Sequence, residues 1–181
     1  MAEPKAQRVG VFVDVQNMYY GAKYLHRAKV NYHTLLKNAV AGRTLVRAIA
    51  YAVRTEEFDN SDFFKALTQI GFEVQIKDLQ VFADGSKKAD WDVGIAMDMI
   101  ELARKLDTEI LVSGDGDYVP LVEHLQHAHG CRVEAMAFGR SSNKVLKERA
   151  DKFIDMDADQ AYLLRDNNGR TKRGNVRKNS S

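Results

Sequence analysis

A chain of 181 residues with 27 Lys and Arg against 25 Asp and Glu suits one domain that buries its own core without help from disulfides or a structural metal. Cys131 is the only cysteine, which excludes an internal disulfide and a cysteine-rich zinc site and favours a reducing compartment, the cytoplasm. No apolar run is long enough for a membrane span, and the opening MAEPKAQRVG carries charge where a secretory signal needs an apolar core.

Residues 1–6 read as a short extension, 7–164 as the domain and 165–181 as a tail. Within the domain the runs RVGVFVDV, TLVRAIAYAV, FEVQIKDLQVF, TEILVSG, RVEAMAF and KFIDM have the apolar density of buried strands. Helical patterns separate them. NYHTLLKNAVAG carries Asn31 as an N-cap and Gly42 past its end, and NSDFFKALTQIG is opened by Ser61 and closed by Gly71. ADWDVGIAMDMIELARKL follows, then VPLVEHLQHAHG with Pro120 in its first turn and Gly130 closing it, then NKVLKERAD with Ser142 as its cap. Strands alternating with helices predict a mostly parallel central sheet covered on both faces, a three-layer Rossmann-like α/β fold. From Arg165 onward six Lys and Arg face one Asp, so the rest of the chain is net acidic. With Val176 as its one apolar residue the tail predicts disorder, either as a solubilising end or as a phosphate-binding arm.

In an open α/β sheet, ligands collect at the carboxyl ends of the strands, and the acids of this chain fall there. Asp14 interrupts the first apolar strand near its end; its burial needs a cation, donors or protonation, and loop amides are the structural alternative. Asp115 and Asp117, in LVSGDGDYVP, follow the fourth strand, and the flanking Gly114 and Gly116 let the backbone turn and approach a ligand. A calcium loop of the EF-hand kind is excluded by the preceding strand and by Gln126 where a Glu is required. The competing reading makes Asp117 a helix cap with Asp115 solvated. On the third helix Asp92 lies near the start, where the helix dipole favours its charge, while Asp98 interrupts the apolar stripe of Trp91, Ile95 and Leu102. Their separation points them to different faces, which leaves Asp92 as the direct ligand and Asp98 as a supporting residue or an ion-pair partner. Asp14, Asp92, Asp115 and Asp117 form an all-oxygen set suited to Mg²⁺ or Mn²⁺, whose chemistry is assisted attack on phosphorus.

Taken in order, VFVDVQNMY, KKADWDVGIAMDMI and LVSGDGDYVPLV resemble the NYN domain family, in particular its LabA-like branch, related to the PIN-domain ribonucleases. The likeness spans about residues 7 to 160. It implies a PIN-like fold, divalent-metal binding and endoribonuclease activity on RNA, single-stranded RNA first. Carried over by motif, Asp14, Asp92, Asp115 and Asp117 are the catalytic and metal-binding acids, and Asp98 the further helix acid. Asn17 and Ser113 become polar partners at the site and substrate contacts. GRSSNKVL resembles a later family loop and adds Ser142, Asn143 and Lys144 as substrate contacts.

Other readings are weaker. A haloacid dehalogenase-type phosphatase needs an acid where Gln16 stands, and a receiver domain needs paired acids after strand one, where Asp14 is alone. His124, His127, His129 and Cys131 straddle a helix end and predict a solvated turn in preference to zinc. In NMYYGAKYLHRA the tyrosines read equally as base-stacking groups beside Lys23, Arg27 and Lys29 or as packing. The function from a different class is a noncatalytic RNA-binding or regulatory module on the same fold. A homodimer stays open on the sequence.

Overall fold

The structure, a computed structural model, describes residues 6–55, 61–81, 83–85 and 87–165. Residues 1–5 of the N-terminal extension and the tail from 166 onward lie outside the described residues. In chain order the elements are β1 (Arg8–Asp14), α1 (Val15–Gly21) continued by a π-helical turn (Ala22–His26), β2 (Lys29–Val30), α2 (Tyr32–Val40), β3 (Thr44–Arg54), α3 (Ser61–Ile70), β4 (Glu73–Asp78), β5 (Gln80–Val81) and β6 (Lys87–Lys88). They continue as α4 (Asp92–Leu102), β7 (Thr108–Val112), a 3₁₀ turn (Gly116–Tyr118), α5 (Val119–His129), β8 (Arg132–Ala137), α6 (Lys144–Arg149), β9 (Lys152–Asp155) and β10 (Leu163–Leu164).

The six expected strands assemble into one sheet in the order β4-β3-β1-β7-β8-β9, with every pairing parallel. Their alternation divides the core. Val9, Val11 and Val13 of β1 face Met18, Leu35, Phe64 and Leu67 on one side. Phe12, with Leu111 and Val133, faces Ile95, Met99, Val122, Leu125 and Leu146 on the other. Helices α1 to α3 therefore cover one face and α4 to α6 the other, the three-layer Rossmann-like arrangement of a PIN-like fold.

The chain builds outward from β1 through β3 to β4, then crosses back to place β7 on the other flank of β1. The carboxyl ends of β1 and β7 thus flank the point where strand order reverses, the usual crevice of this topology. Val13 pairs with Val112, so Asp14 and Ser113, the next residues of each strand, emerge side by side.

Local details depart from the sequence reading in places. FEVQIKDLQVF divides at Leu79, whose amide donates to the Arg54 carbonyl, and its second part pairs with β6 as a separate hairpin. Helix α2 ends at Ala41, which takes the left-handed conformation (φ 50°) one residue before Gly42. Asn143, and not Ser142, caps α6: its side chain accepts from Val145 and Leu146, while the Ser142 hydroxyl turns back to the Phe138 carbonyl at 2.7 Å.

Two buried carboxylates on neighbouring strands have opposite fates. Glu134 on β8 is clasped by both terminal nitrogens of Arg43, at 3.1 and 3.0 Å, with both side chains inaccessible to solvent. Arg43 also donates to the Ala39 and Val40 carbonyls at the end of α2, tying that helix to the sheet. Glu109 on β7 is equally buried, yet neither carboxylate oxygen has a partner, and burial pushes its pKa up to about 8.

Candidate acidic metal centre

Asp14 ends β1 and caps α1, accepting from the Asn17 amide at 3.1 Å. Its other oxygen accepts from the Ser113 hydroxyl at 3.4 Å, and that hydroxyl in turn accepts from the Asp115 amide at 3.2 Å. The Asn17 side-chain oxygen accepts from the Gly114 amide at 3.0 Å. The loop after β7 is thereby fastened to the loop after β1. Asp115 then caps the 3₁₀ turn by accepting from the Asp117 amide at 3.0 Å, which throws the Asp117 carboxylate to the same side.

Asp92 arrives from the other face as the first residue of α4, and its carboxylate accepts from the Tyr118 hydroxyl at 3.0 Å. Asp92, Asp115 and Asp117 each present an oxygen to one spot, all within 4.8 Å of one another. Asp92 and Asp115 are half-buried and Asp117 is exposed, so the cluster opens to solvent on one side.

The electrostatics match a cation site. Burial, with the charges of Asp92 and Asp115 adding to it against the Asn17 amide, pushes the Asp14 carboxyl up to about 6. Asp92 is likewise raised, by burial first and by Asp90, Asp115 and Asp117 after, against the Tyr118 hydroxyl. The buried Tyr118 hydroxyl is itself held protonated, by burial and then by Asp14 and Asp92, so it serves as a donor. Three crowded carboxylates with only oxygen donors fit a hard divalent cation of the Mg²⁺ or Mn²⁺ type. Among the described residues no other group of three or more such side chains could share an ion, so His124, His127, His129 and Cys131 do not converge.

The glycines of the loop are required by contact. A β-carbon on Gly114 would lie 2.6 Å from the Ser142 hydroxyl, and one on Gly116 would collide with the Asn143 amide. The Asn143 backbone N–H donates to the Gly114 carbonyl at 2.9 Å. Ser142 and Asn143 therefore sit against the acid loop, with Lys144 exposed beside them and 3.7 Å from Glu148. Ser113 is fully buried, which removes it from contact with any substrate; its hydroxyl serves to align Asp14 and Asp115.

Asp98 lies apart from the three acids. It accepts from the Tyr51 hydroxyl at 2.7 Å, and the Tyr51 ring packs 5.3 Å from that of Trp91, whose indole donates to the Ala52 carbonyl at 2.8 Å. Lys77 lies 4.1 Å over Trp91 and donates to the Asp90 carbonyl. These contacts fix the start of α4, and with it Asp92. Sequence reasoning assigned nothing to Tyr118, although it follows the paired acids directly; a tyrosine inside a loop of small polar residues was the available signal.

The NYN domain family model matches residues 8–157. The chain is 25% identical over 170 residues to the Low amplitude and bright protein LabA of Synechococcus elongatus, covering 88% of this chain and 89% of that protein. It is also similar to the crystal structure of a protein of unknown function, VPA0982, from Vibrio parahaemolyticus, with 36% identity and a TM-score of 0.81 over 91% of this chain and 100% of that one. No helix among the described residues is long and apolar enough to cross a membrane.

Proposed function

Since the chain belongs to the NYN domain family, in its LabA-like branch, we propose that it is a divalent-metal-dependent endoribonuclease that cuts single-stranded RNA in the cytoplasm. The observation that carries this reading is the convergence of Asp92, Asp115 and Asp117, with Asp14 hydrogen-bonded behind them through Ser113. Those three acids would hold Mg²⁺ or Mn²⁺, with Asp14 as the fourth acid of the catalytic set. When bound, the ion would supply Lewis-acid chemistry, lowering the pKa of a water and offsetting charge on phosphorus.

The chain's own residues have distinct tasks. Tyr118 orients Asp92 by its hydroxyl, and Ser113 and Asn17 set the loop that carries Asp115 and Asp117. Ser142 and Asn143 wall the loop, and the exposed Lys144 offers charge to a substrate phosphate. A homodimer belongs to the same reading. Val93, Met97 and Ile100 form an exposed apolar row along α4, with Asp90 before its start and Arg104 and Lys105 past its end. Two copies of α4 laid antiparallel would set base against acid.

The test incubates the purified protein with single-stranded RNA, and with DNA of the same sequence, in Mn²⁺ or EDTA beside Asp115→Asn and Asp117→Asn. RNA cleavage that requires Mn²⁺ and stops in both variants is expected. Equal cleavage by wild type and variants would sink the reading, and RNA bound but never cut would assign the chain to a noncatalytic RNA-binding module.

A further inference from the structure

The first helix carries a surface that the acid cluster does not use. Tyr20 and Tyr24 stack in offset planes within 6° of parallel, with ring centres 5.8 Å apart, yet they are 40% and 72% exposed. Large exposed aromatic rings are costly to leave in water, and here two of them stand together outside the core. Met18, on the same helix, is buried, so packing accounts for one face of α1 and not for this one.

The backbone beneath the pair is held in place. Tyr24 stands on the π-helical turn Ala22–His26, a form often found at functional sites, and the turn ends on Arg27 in the left-handed conformation (φ 50°). Below it, His26 lies 2.6 Å from Asp157 and packs its ring 5.2 Å from Phe138. The Lys23 ammonium sits 5.2 and 5.9 Å from the Tyr19 and Tyr24 ring centres. Arg27 and Lys29, both exposed, follow directly.

Position links this surface to the acids. Asn17, Tyr20 and Tyr24 are spaced to share one face of the helical segment that starts at Asp14, and Asn17 touches the loop that carries Asp115. Seven residues at helical rise put Tyr24 about 10 Å from Asn17.

We infer that Tyr20 and Tyr24, with Lys23 and Arg27, form a base-stacking platform that holds the unpaired bases of single-stranded RNA leading to the acid cluster. The rings supply stacking that tolerates any base, and the cations meet the phosphates between them. The platform is pinned before binding, so little side-chain order is lost when a strand docks. The identity of the strand as RNA rests on the ribonuclease reading; the stacking itself does not.

The experiment titrates the full chain, in EDTA so that nothing is cut, into a short single-stranded RNA carrying 2-aminopurine and into the matching duplex. Wild type is expected to quench the fluorophore, to prefer the single strand, and to lose about tenfold or more in affinity in the Tyr20→Ala, Tyr24→Ala double variant. The Tyr20→Phe, Tyr24→Phe variant keeps both rings and is expected to bind as wild type. Both variants change exposed side chains, and thermal melting verifies that each is folded. In Mn²⁺ the alanine variant is expected to raise KM with kcat unchanged. Equal affinity in wild type and alanine variant, absence of binding by wild type, or preference for duplex overturns the platform. A dimer in sedimentation that dissolves in the alanine variant also overturns it and gives this face to a second copy. Binding and quenching without cleavage would leave the platform standing and remove the nuclease reading alone.

Discussion

Tyr118 donates its hydroxyl to the Asp92 carboxylate at 3.0 Å, joining the turn after β7 to the first residue of α4 beside the acid cluster. The ring is buried, and among the described residues Asp92 is the acceptor of its hydroxyl. Removing the oxygen in Tyr118→Phe keeps the packing and frees Asp92 to rotate. Outer groups that orient a metal ligand are worth roughly 10- to 100-fold in affinity or activity. Calorimetric titration with Mn²⁺ should therefore show a Kd raised by about that factor; an unchanged Kd would mean that Asp92 is held elsewhere.

Asp115→Asn should separate stability from function. It removes one of three crowded charges, so in EDTA the variant should melt at the wild-type temperature or above it. Wild type should gain about 2 to 3 kcal/mol at Mn²⁺ concentrations near 100 times Kd, because an ion that binds only the folded state stabilises it. The variant should show almost none of this gain. Scanning calorimetry with and without Mn²⁺ reads both quantities, and an equal gain in both proteins would exclude Asp115 as a ligand.

Glu109 makes stability depend on pH. Its unfolded value is near 4.5 and its folded value about 8, so below 4.5 both states are protonated and the pH-dependent part of its cost vanishes. Between the two values the unfolded chain ionises while the folded chain stays neutral, and stability falls as pH rises, by up to about 1.4 kcal/mol per pH unit. Above 8 the loss is complete. Glu109→Gln should match wild type near pH 4 and exceed it by a few kcal/mol at pH 8 in urea unfolding. A gap that does not grow with pH would mean the carboxyl has found a partner.

Arg43 illustrates the opposite case. Arg43→Met leaves Glu134 buried with only Arg132 beside it, at 3.1 Å, and should cost about 3–5 kcal/mol. Adding Glu134→Leu removes the stranded charge and should restore most of the loss. Denaturant midpoints of the single and double variants decide it; a double variant as unstable as the single one would point to packing and not charge.

Helix α4 supplies the prediction for self-association. Met97→Glu places a charge in the middle of the exposed row Val93, Met97 and Ile100. Wild type should sediment as a dimer and the variant as a monomer. A wild type that remains monomeric at high concentration would discard the row as an interface.

Much of the site was legible because strand ends are a one-dimensional property. Asp14, Asp115 and Asp117 follow apolar runs, and parallel pairing then brings the carboxyl ends of β1 and β7 together. Asp92 was legible from its place at a helix start. Directions of hydroxyls were not. Ser113 faces inward because Val13 and Val112 are in register, and Tyr118 reaches Asp92 only because α4 packs beside the turn, facts that no local pattern carries. Asp98 found the Tyr51 hydroxyl, 47 positions earlier in the chain, with the Arg47 charge nearby, and no local pattern announces either. Glu109 and Glu134 both sit inside apolar strands; Arg132, two residues before Glu134, is a partner the sequence places nearby, but the two-pronged clasp of Arg43, 91 positions away, is not visible in any local pattern.

The contacts of Gly114 and Gly116 with Ser142 and Asn143 have a temporal side. The acids all lie before residue 118, but the wall that keeps their loop in shape comes from the segment joining β8 to α6. A ribosome-bound chain that has emerged only as far as α5 would carry all four acids of the cluster and not the segment that walls their loop. On the nuclease reading, the cleft would be complete only once the segment after β8, in the last quarter of the chain, has folded.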